Sequence, residues 1–205
     1  MIIDYFYKIQ NLLIRKFFEI DRIDTTGKVV YLTFDDGPES GITEFVLNEL
    51  NKYNFKATFF CCGDKAEHNK ELFDEIIRNG HSIGNHTYSH IHSYQVDSKT
   101  YVKDVGKANE ILHTKLFRPP HGSVTFPVFL RLKKHYNLYF WNLNSFDYIM
   151  DKCDINKNIE HLKTNTSSGD IVLFHFCNKH SAETSKILPV YLKWLYDNGF
   201  ASKSL

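Results

Sequence analysis

The sequence predicts an α/β fold in which parallel strands are covered by helices. Short apolar runs alternate with stretches of helical periodicity, which gives six or seven β–α repeats. No linker-like or low-complexity stretch interrupts them, and 205 residues suffice for one domain with a good core but are too few for two comfortable ones. Both a barrel and an open doubly wound sheet fit this pattern.

The first half of the chain supplies three of these repeats. The apolar run at 29–34 is a buried strand, and apolar side chains at helical spacing predict a helix at 42–53. The β-branched and aromatic run at 57–61 predicts the next strand. A helix follows at 66–79 and ends at Gly80, before a short strand at 81–85.

The second half continues the alternation. A helix begins near Ser98, and the next strand is predicted at 116–120, followed by a helix that opens near Pro127. Further strands are predicted at 138–143 and 170–175, with a helix at 155–164 between them. The last helix, at roughly 184–198, contains Pro189 and should therefore be kinked or start late. Phe200 onward predicts a final short strand, and residues 1–28 predict an amphipathic lead-in helix.

Composition excludes several classes of function. A formal net charge of +1 leaves no basic footprint for nucleic acid. No apolar run approaches the roughly 20 residues of a membrane span. The four cysteines form no C-x-x-C pair and suit a reducing compartment. The first residues of the sequence lack the features of a signal peptide. Asn85 begins an Asn-His-Thr glycosylation sequon, and a glycan on it would lie beside His86 and His90. We therefore expect a cytoplasmic or membrane-surface location.

Ionisable residues gather where the predicted strands end. In both candidate architectures the active site lies at the carboxyl ends of the strands. Five separate strands end in, or are followed by, such residues: Asp35 and Asp36, His86 and His90, Arg118, Asp147, and His175. Ionisable residues at the carboxyl ends of five strands, on one rim of the sheet, predict an active site there.

A metal site is the first chemistry that these residues suggest. His86 and His90 are spaced i, i+4, so both imidazoles can face one ion from a helical turn or from a loop that imitates one. One of the adjacent aspartates would complete a two-His, one-carboxylate site with open positions. Zinc is the default ion, although other divalent metals suit the same ligands. The second aspartate would be the base beside the metal's water.

At this point the motifs carry a family resemblance. In order, TFDDGP (33–38), HTYSH (86–90), RPPHG (118–122), WNLNSFDY (141–148) and LFH (173–175) resemble the polysaccharide deacetylases of carbohydrate esterase family 4, the NodB homology domain. The match runs from about Val29 to about Phe200. It implies a distorted parallel (β/α) barrel of about seven strands, with 29–205 as a single catalytic domain. It also implies a metal-dependent hydrolase that removes N-acetyl groups from the amino sugars of a glycan.

The resemblance also implies a role for each matched residue. Asp35 would be the general base, oriented by Arg118, and Asp147 would orient His175, which protonates the leaving amine. Asp36, His86 and His90 would hold one divalent metal, most simply Zn²⁺. The backbone N–H of His121, after Pro120, would help to hold the oxyanion. The substrate pocket would be walled by Trp141, Tyr148 and Leu173.

Four positions depart from the family pattern. His121 stands in place of a tyrosine, Tyr148 in place of a tryptophan, Asn144 in place of an aspartate, and Phe176 where an aspartate is common. None removes a core catalytic group. Tyr148 and Asn144 alter the pocket wall and so the substrate preference, and the His121 side chain could touch substrate. Cys177 is expected to be buried, and the remaining histidines, His92 and His180 among them, to be surface or satisfied core residues.

Three functions stay open. The favoured one is a deacetylase acting on peptidoglycan, a chitin oligomer, an exopolysaccharide or a lipid-linked sugar. The second is a related amide hydrolase, such as a deformylase or a non-sugar amidase, on the same scaffold. The third is a carbohydrate-binding module that has lost its metal. The oligomeric state is not indicated by the sequence.

Overall fold

The computed structural model describes residues 22–148 and 154–205. Most of the predicted lead-in helix, at 1–28, and Cys153 lie outside the described residues. Among the described helices, none combines the length and apolar character needed to cross a membrane.

The described chain forms a single sheet of eight parallel strands. They are β1 (Val29–Asp35), β2 (Ala57–Cys61), β3 (Ser82–Asn85), β4 (Leu116–Phe117), β5 (Asn137–Leu138), β6 (Leu143–Asn144), β7 (Ile171–His175) and β8 (Ala201–Ser202). Seven follow the order β5-β4-β3-β2-β1-β7-β6, and β8 pairs with the start of β1. These seven strands curl into a half-barrel, which confirms the predicted distorted parallel barrel in one domain.

Seven described α-helices cover the outside of the sheet. They are α1 (Ile42–Asn51), α2 (Gly63–His68), α3 (Lys70–Arg78), α4 (Ser98–Leu112), α5 (Phe126–Leu132), α6 (Ile155–Asn165) and α7 (Ser181–Asp197). The core lies between these helices and the central strands, where every residue of β1 and β2 is buried. Phe34 on β1 stacks between Phe59 and Phe174 of its two neighbours, at ring distances of 5.1 and 5.7 Å. This apolar layer holds the carboxyl ends of β1, β2 and β7 in register.

Two predicted elements are divided in the structure. The helix predicted at 66–79 becomes α2 and α3, because Asn69 leaves helical geometry and its side-chain amide donates to the carbonyls of Pro38 and Lys65. The strand predicted at 138–143 becomes β5 and β6. Between them the chain crosses from the edge of β4 to the edge of β7. The Tyr139 N–H donates to the Phe117 carbonyl on the first side, and the Asn142 N–H donates to the Ile171 carbonyl on the second.

The last helix begins earlier than predicted. Helix α7 starts at Ser181 and runs through Pro189 to Asp197, so the proline lies in the interior of the helix and neither delays its start nor ends it. The short final strand near Phe200 is confirmed as β8.

Candidate active site

The predicted rim residues meet at the carboxyl ends of the central strands. Asp35 ends β1 and lies opposite His175 in the register of β1 with β7. The strand stops after Asp35 because Asp36 has a positive φ of 81°. Successive strand residues point to opposite faces. This break in the strand is what allows two adjacent carboxylates to serve one pocket.

The structure brings Asp36, His86 and His90 together. Asp36 Oδ1 lies 2.9 Å from Nε2 of His90 and 3.3 Å from Nε2 of His86. One ligand atom from each residue lies within 4.8 Å of the other two. Burial alone would raise the pKa of Asp36, but hydrogen bonds from His86 and His90, with positive charge on His86 and His175, hold that pKa well below its usual range. The donor set fits a divalent metal.

Hydrogen bonds orient the His86 ring and fix the loop that carries His90. His86 Nδ1 lies 2.8 Å from the Arg118 carbonyl oxygen, so the ring donates there and leaves Nε2 free to accept a metal. The segment 86–90 is a loop, not a helical turn, with positive φ at Thr87 and His90. Asp104 on α4 fixes this loop by accepting hydrogen bonds from the Tyr88 N–H (2.8 Å) and the Ser89 hydroxyl (2.8 Å).

Arg118 holds Asp35 by a buried ion pair. Its Nη1 donates to Asp35 Oδ1 at 2.8 Å and to the Thr33 hydroxyl at 2.7 Å. Nη2 donates to the Phe140 carbonyl at 2.8 Å, and Nε to the Tyr139 carbonyl at 3.3 Å. Because both carbonyls belong to the crossing between β5 and β6, this contact explains why the predicted strand is interrupted there.

Asp147 and His175 form the second buried pair. Asp147 Oδ1 lies 2.7 Å from His175 Nδ1, and Oδ2 accepts from the His175 backbone N–H and from the Thr184 hydroxyl. Burial alone would lower the pKa of His175, but Asp147, with Asp36 and Asp35, raises it to about 9. The imidazole is therefore protonated at neutral pH and can act as an acid.

A pocket of about 510 Å³ joins these groups. Among the described residues its lining includes Asp35, Asp36, His86, His90, His121, Trp141, Tyr148, Leu173 and His175. Pro120, predicted with them, is the buried first residue of the turn Pro120–Gly122 and is not among the lining residues. Gly122 in the same turn has a φ of 59° and lies against the Trp141 indole.

Several contributors escaped the sequence analysis. Thr33 and Thr184 hydrogen-bond to charged groups of the site, and Asp104 fixes the histidine loop, but isolated Thr and Asp residues carry no spacing signal. His92 stacks on His121 with ring centres 3.4 Å apart. The expectation that His180 is a surface or satisfied core residue is wrong, because it lines the pocket and, among the described residues, its buried Nδ1 has no hydrogen-bond partner. Cys177 is buried, as expected, and also lines the pocket.

Known proteins resemble this chain over most of its length. A family model for polysaccharide deacetylase matches residues 22–139. The chain is 31% identical over 184 residues to a peptidoglycan-N-acetylglucosamine deacetylase of Bacillus cereus (strain ATCC 14579), covering 85% of this chain and 86% of that protein. It is 27% identical to the peptidoglycan-N-acetylmuramic acid deacetylase PdaC of Bacillus subtilis (strain 168), covering 88% of this chain but 38% of that longer protein.

Solved structures agree with these matches. The peptidoglycan N-acetylglucosamine deacetylase Bc1960 superposes with a TM-score of 0.84 at 27% identity, covering 90% of this chain and 89% of that one. A family 4 carbohydrate esterase from Streptomyces lividans, in complex with acetate, superposes with a TM-score of 0.77 at 26% identity, covering 87% and 93%. A pseudoenzyme from Bacillus anthracis, at 21% identity and a TM-score of 0.79 over 90% and 66%, shares the fold. This chain belongs to the polysaccharide deacetylase family, carbohydrate esterase family 4.

Proposed function

We propose that this protein is a metal-dependent hydrolase that removes N-acetyl groups from the amino sugars of a glycan, with peptidoglycan as the favoured substrate class. One observation carries the proposal. A candidate base, Asp35 paired with Arg118, and a candidate acid, His175 paired with Asp147, line the same pocket as the Asp36, His86 and His90 cluster. The names of the similar Bacillus proteins support the choice of peptidoglycan.

The metal site supplies part of the chemistry. Asp36, His86 and His90 would hold one divalent cation, for which zinc is our proposal. A cation there would polarise an acetamide carbonyl and make a water easier to deprotonate. Two imidazoles and one carboxylate are the ligands of many hydrolytic zinc sites, with a position left open for water or substrate.

The protein residues would move the protons. Asp35, fixed by Arg118, would accept the proton of the attacking water. His175, kept protonated by Asp147, would give a proton to the amine that leaves the sugar, because an amide nitrogen is a poor leaving group unless protonated. The His121 backbone N–H would donate to the developing oxyanion. Trp141, Tyr148 and Leu173 would enclose the acetyl group and sugar ring.

Acetate release from N-acetylglucosamine oligomers and from peptidoglycan tests the proposal. We expect the zinc-loaded protein to release acetate. Asp35→Asn should keep its zinc and lose most of its turnover, whereas Asp36→Asn should lose both. Equal activity in both variants and the parent would sink the assignment.

The outcome also separates the alternatives. Zinc binding with no acetate from any sugar would favour an amide hydrolase for another acyl group, and the altered wall residues His121 and Tyr148 are where that preference would arise. Neither zinc nor acetate release would favour a carbohydrate-binding module. The Bacillus anthracis pseudoenzyme shows that the fold alone does not decide between activity and its loss.

The cytoplasmic or membrane-surface location is also a proposal. It rests on the sequon at Asn85, whose side chain is buried beside the site and donates to the Val105 carbonyl at 3.0 Å. Fractionation of cells producing the native chain tests it, and recovery of the protein from the wall or medium would contradict it.

A further inference from the structure

The Asp36 carboxylate faces two different sets of potential ligands. Its Oδ1 contacts the imidazoles of His86 and His90. Its Oδ2 lies 3.9 Å from the thiol sulfur of Cys177, just past β7. Asp36, Cys177 and His180 each offer one ligand atom, and these three atoms lie within 4.8 Å of one another. One oxygen of the carboxylate is therefore available to each set.

His180 is the unexplained member of the second set. It ends the short turn Asn178–His180 before α7 and is only 6% exposed. Among the described residues its Nδ1 has no hydrogen-bond partner. A buried polar atom left without a partner is costly, so native structures usually supply one. A cation, or water bound to it, would satisfy this imidazole.

The donor types indicate what kind of cation would bind. Thiolate and imidazole ligands prefer borderline and soft metals such as Zn²⁺ and Cd²⁺ over Mg²⁺ or Ca²⁺. Asp36 and a Cys177 thiolate together would neutralise a divalent ion. Glu39 and Lys65, which line the same pocket, pair with each other and add no net charge, whereas Lys179, also in the lining, adds one positive charge.

We propose that Asp36, Cys177 and His180 form a second site, for a thiophilic divalent cation, joined to the first site through Asp36. Binding breaks the Cys177 S–H bond. The sulfur lone pair goes to the cation, the proton leaves to solvent, and nothing is oxidised or reduced.

Occupation of this site would affect the pocket. Cys177 and His180 line the same cavity as the candidate catalytic groups. A cation held there, with its remaining water ligands, takes up space in which substrate would lie. Excess zinc should therefore inhibit in competition with substrate, a consequence that rests on the proposed function.

Cadmium titration tests the site without reference to turnover. The chain is stripped with a chelator and titrated with Cd²⁺ alone, while bound equivalents and the ultraviolet charge-transfer band of Cd–thiolate bonds are measured. We expect two equivalents, with a thiolate band that belongs to one of them. Cys177→Ala should bind one equivalent without the band. His180→Gln should weaken the second equivalent by at least about tenfold, the loss typical even of outer-shell partners.

Cys61→Ala is the matched control, because Cys61 is also a buried free thiol; it should keep both equivalents and the band. Circular dichroism and retention of the first equivalent show that a variant is folded, and His180→Gln decides the matter if Cys177→Ala does not fold.

One equivalent in the parent chain, or a band that survives in Cys177→Ala, would overturn the proposal. So would a band that vanishes in His90→Ala, because the thiol would then belong to the first site. Two bound equivalents of Cd²⁺, with no acetate release by the zinc-loaded protein, would support this second site and contradict the proposed function.

Discussion

At the scale of single residues, the site depends on buried charges whose partners come from distant parts of the chain. Asp35 and Arg118 are 83 positions apart, and Asp147 and His175 are 28 apart. Taking such groups out of water is costly unless each is paired and hydrogen-bonded. Losing one partner of a pair should therefore cost more than losing a surface charge.

Arg118→Met tests this for the first pair. The guanidinium is fully buried, and its removal leaves the Asp35 carboxylate buried without its cation. We expect the free energy of unfolding to fall by about 3–5 kcal/mol, as for other broken buried ion pairs. Urea unfolding measures it. Arg131→Met, at an exposed position on α5, is the control and should change stability by no more than about 0.5 kcal/mol. Equal effects of the two substitutions would contradict the prediction.

Asp147→Asn tests the second pair through pH. Because the pKa of His175 is raised from 6.5 to about 9, the acid form is present at neutral pH and is lost as pH rises through about 9. The asparagine variant should lose activity at a lower pH than the parent, with kcat reduced by about 10²–10⁴ at neutral pH. A pH–rate profile measures both. If activity is lost at the same alkaline pH in the variant and the parent, Asp147 does not set the pKa of His175.

The raised pKa of His175 also makes the stability of the protein depend on pH. A pKa raised on folding means that the native state binds the proton more tightly than the unfolded chain does. The stabilisation from His175 is therefore complete below about pH 6.5 and is lost as pH rises through about 9. Denaturant unfolding at pH 6 and pH 10 should show a smaller difference for Asp147→Asn than for the parent. An equal difference in the two proteins would argue against the linkage.

At the scale of elements, the site is built from connections that leave regular structure. The loop at 86–90, the turn Pro120–Gly122 and the crossing at 139–142 all carry groups that face the pocket or hold those that do. His90 and His121 in two of these segments, and Asp36 just after β1, have positive φ. Non-glycine residues in this region are strained, which is common at functional sites.

Gly122→Ala tests the turn. The glycine has a positive φ, and an added Cβ would lie 2.4 Å from the Trp141 ring. We expect a loss of about 1–3 kcal/mol in stability together with reduced acetate release, because Trp141 must move from the pocket wall. Gly106→Ala, in α4 with no atom within 4 Å of the added Cβ, should instead stabilise by about 0.5–1 kcal/mol. Thermal and urea unfolding compare the pair, and a neutral Gly122→Ala would contradict the reasoning.

Prediction from sequence worked unevenly at this scale. The strands β1, β2 and β7 are predicted within about one residue at each end because each is a dense apolar run with clear stops, and the short β3 is located by the Gly80 that ends the preceding helix. The run at 138–143 looks like one strand because its residues have high β propensity. It is divided because Arg118 donates to the carbonyls of Tyr139 and Phe140. Arg118 lies 21 and 22 positions away from them, so local β propensity does not include this contact.

At the scale of the whole molecule, the last strand fastens the start of β1. The Ala201 N–H donates to the Lys28 carbonyl and the Lys203 N–H to the Val30 carbonyl, while the Leu205 N–H donates to the Thr58 hydroxyl. Strand β1 carries both candidate carboxylates at or just beyond its far end. The C-terminal residues therefore support the site from the opposite end of the strand.

Deletion of residues 201–205 tests this support. It removes six described hydrogen bonds to the first three strands and their flanks, each worth about 1 kcal/mol net. We expect a lower Tm and a loss of a few kcal/mol in stability. Lys203→Ala, which keeps the backbone N–H, serves as the control and should stay near the parent. A truncated chain with unchanged Tm would show that β8 contributes nothing.

The sequence alone determined the repeat pattern, the family and the residues that gather at the rim. Apolar periodicity and strand-end chemistry are local, so they can be read along the chain. The tertiary structure decided what each of these groups contacts. Arg118 donates both to Asp35 and to two carbonyls of the segment between β5 and β6. Asp104 fixes the histidine loop, and His180 lies near Asp36. These contacts join residues separated by many positions, and only the packing of strands and helices determines which side chains share a buried space.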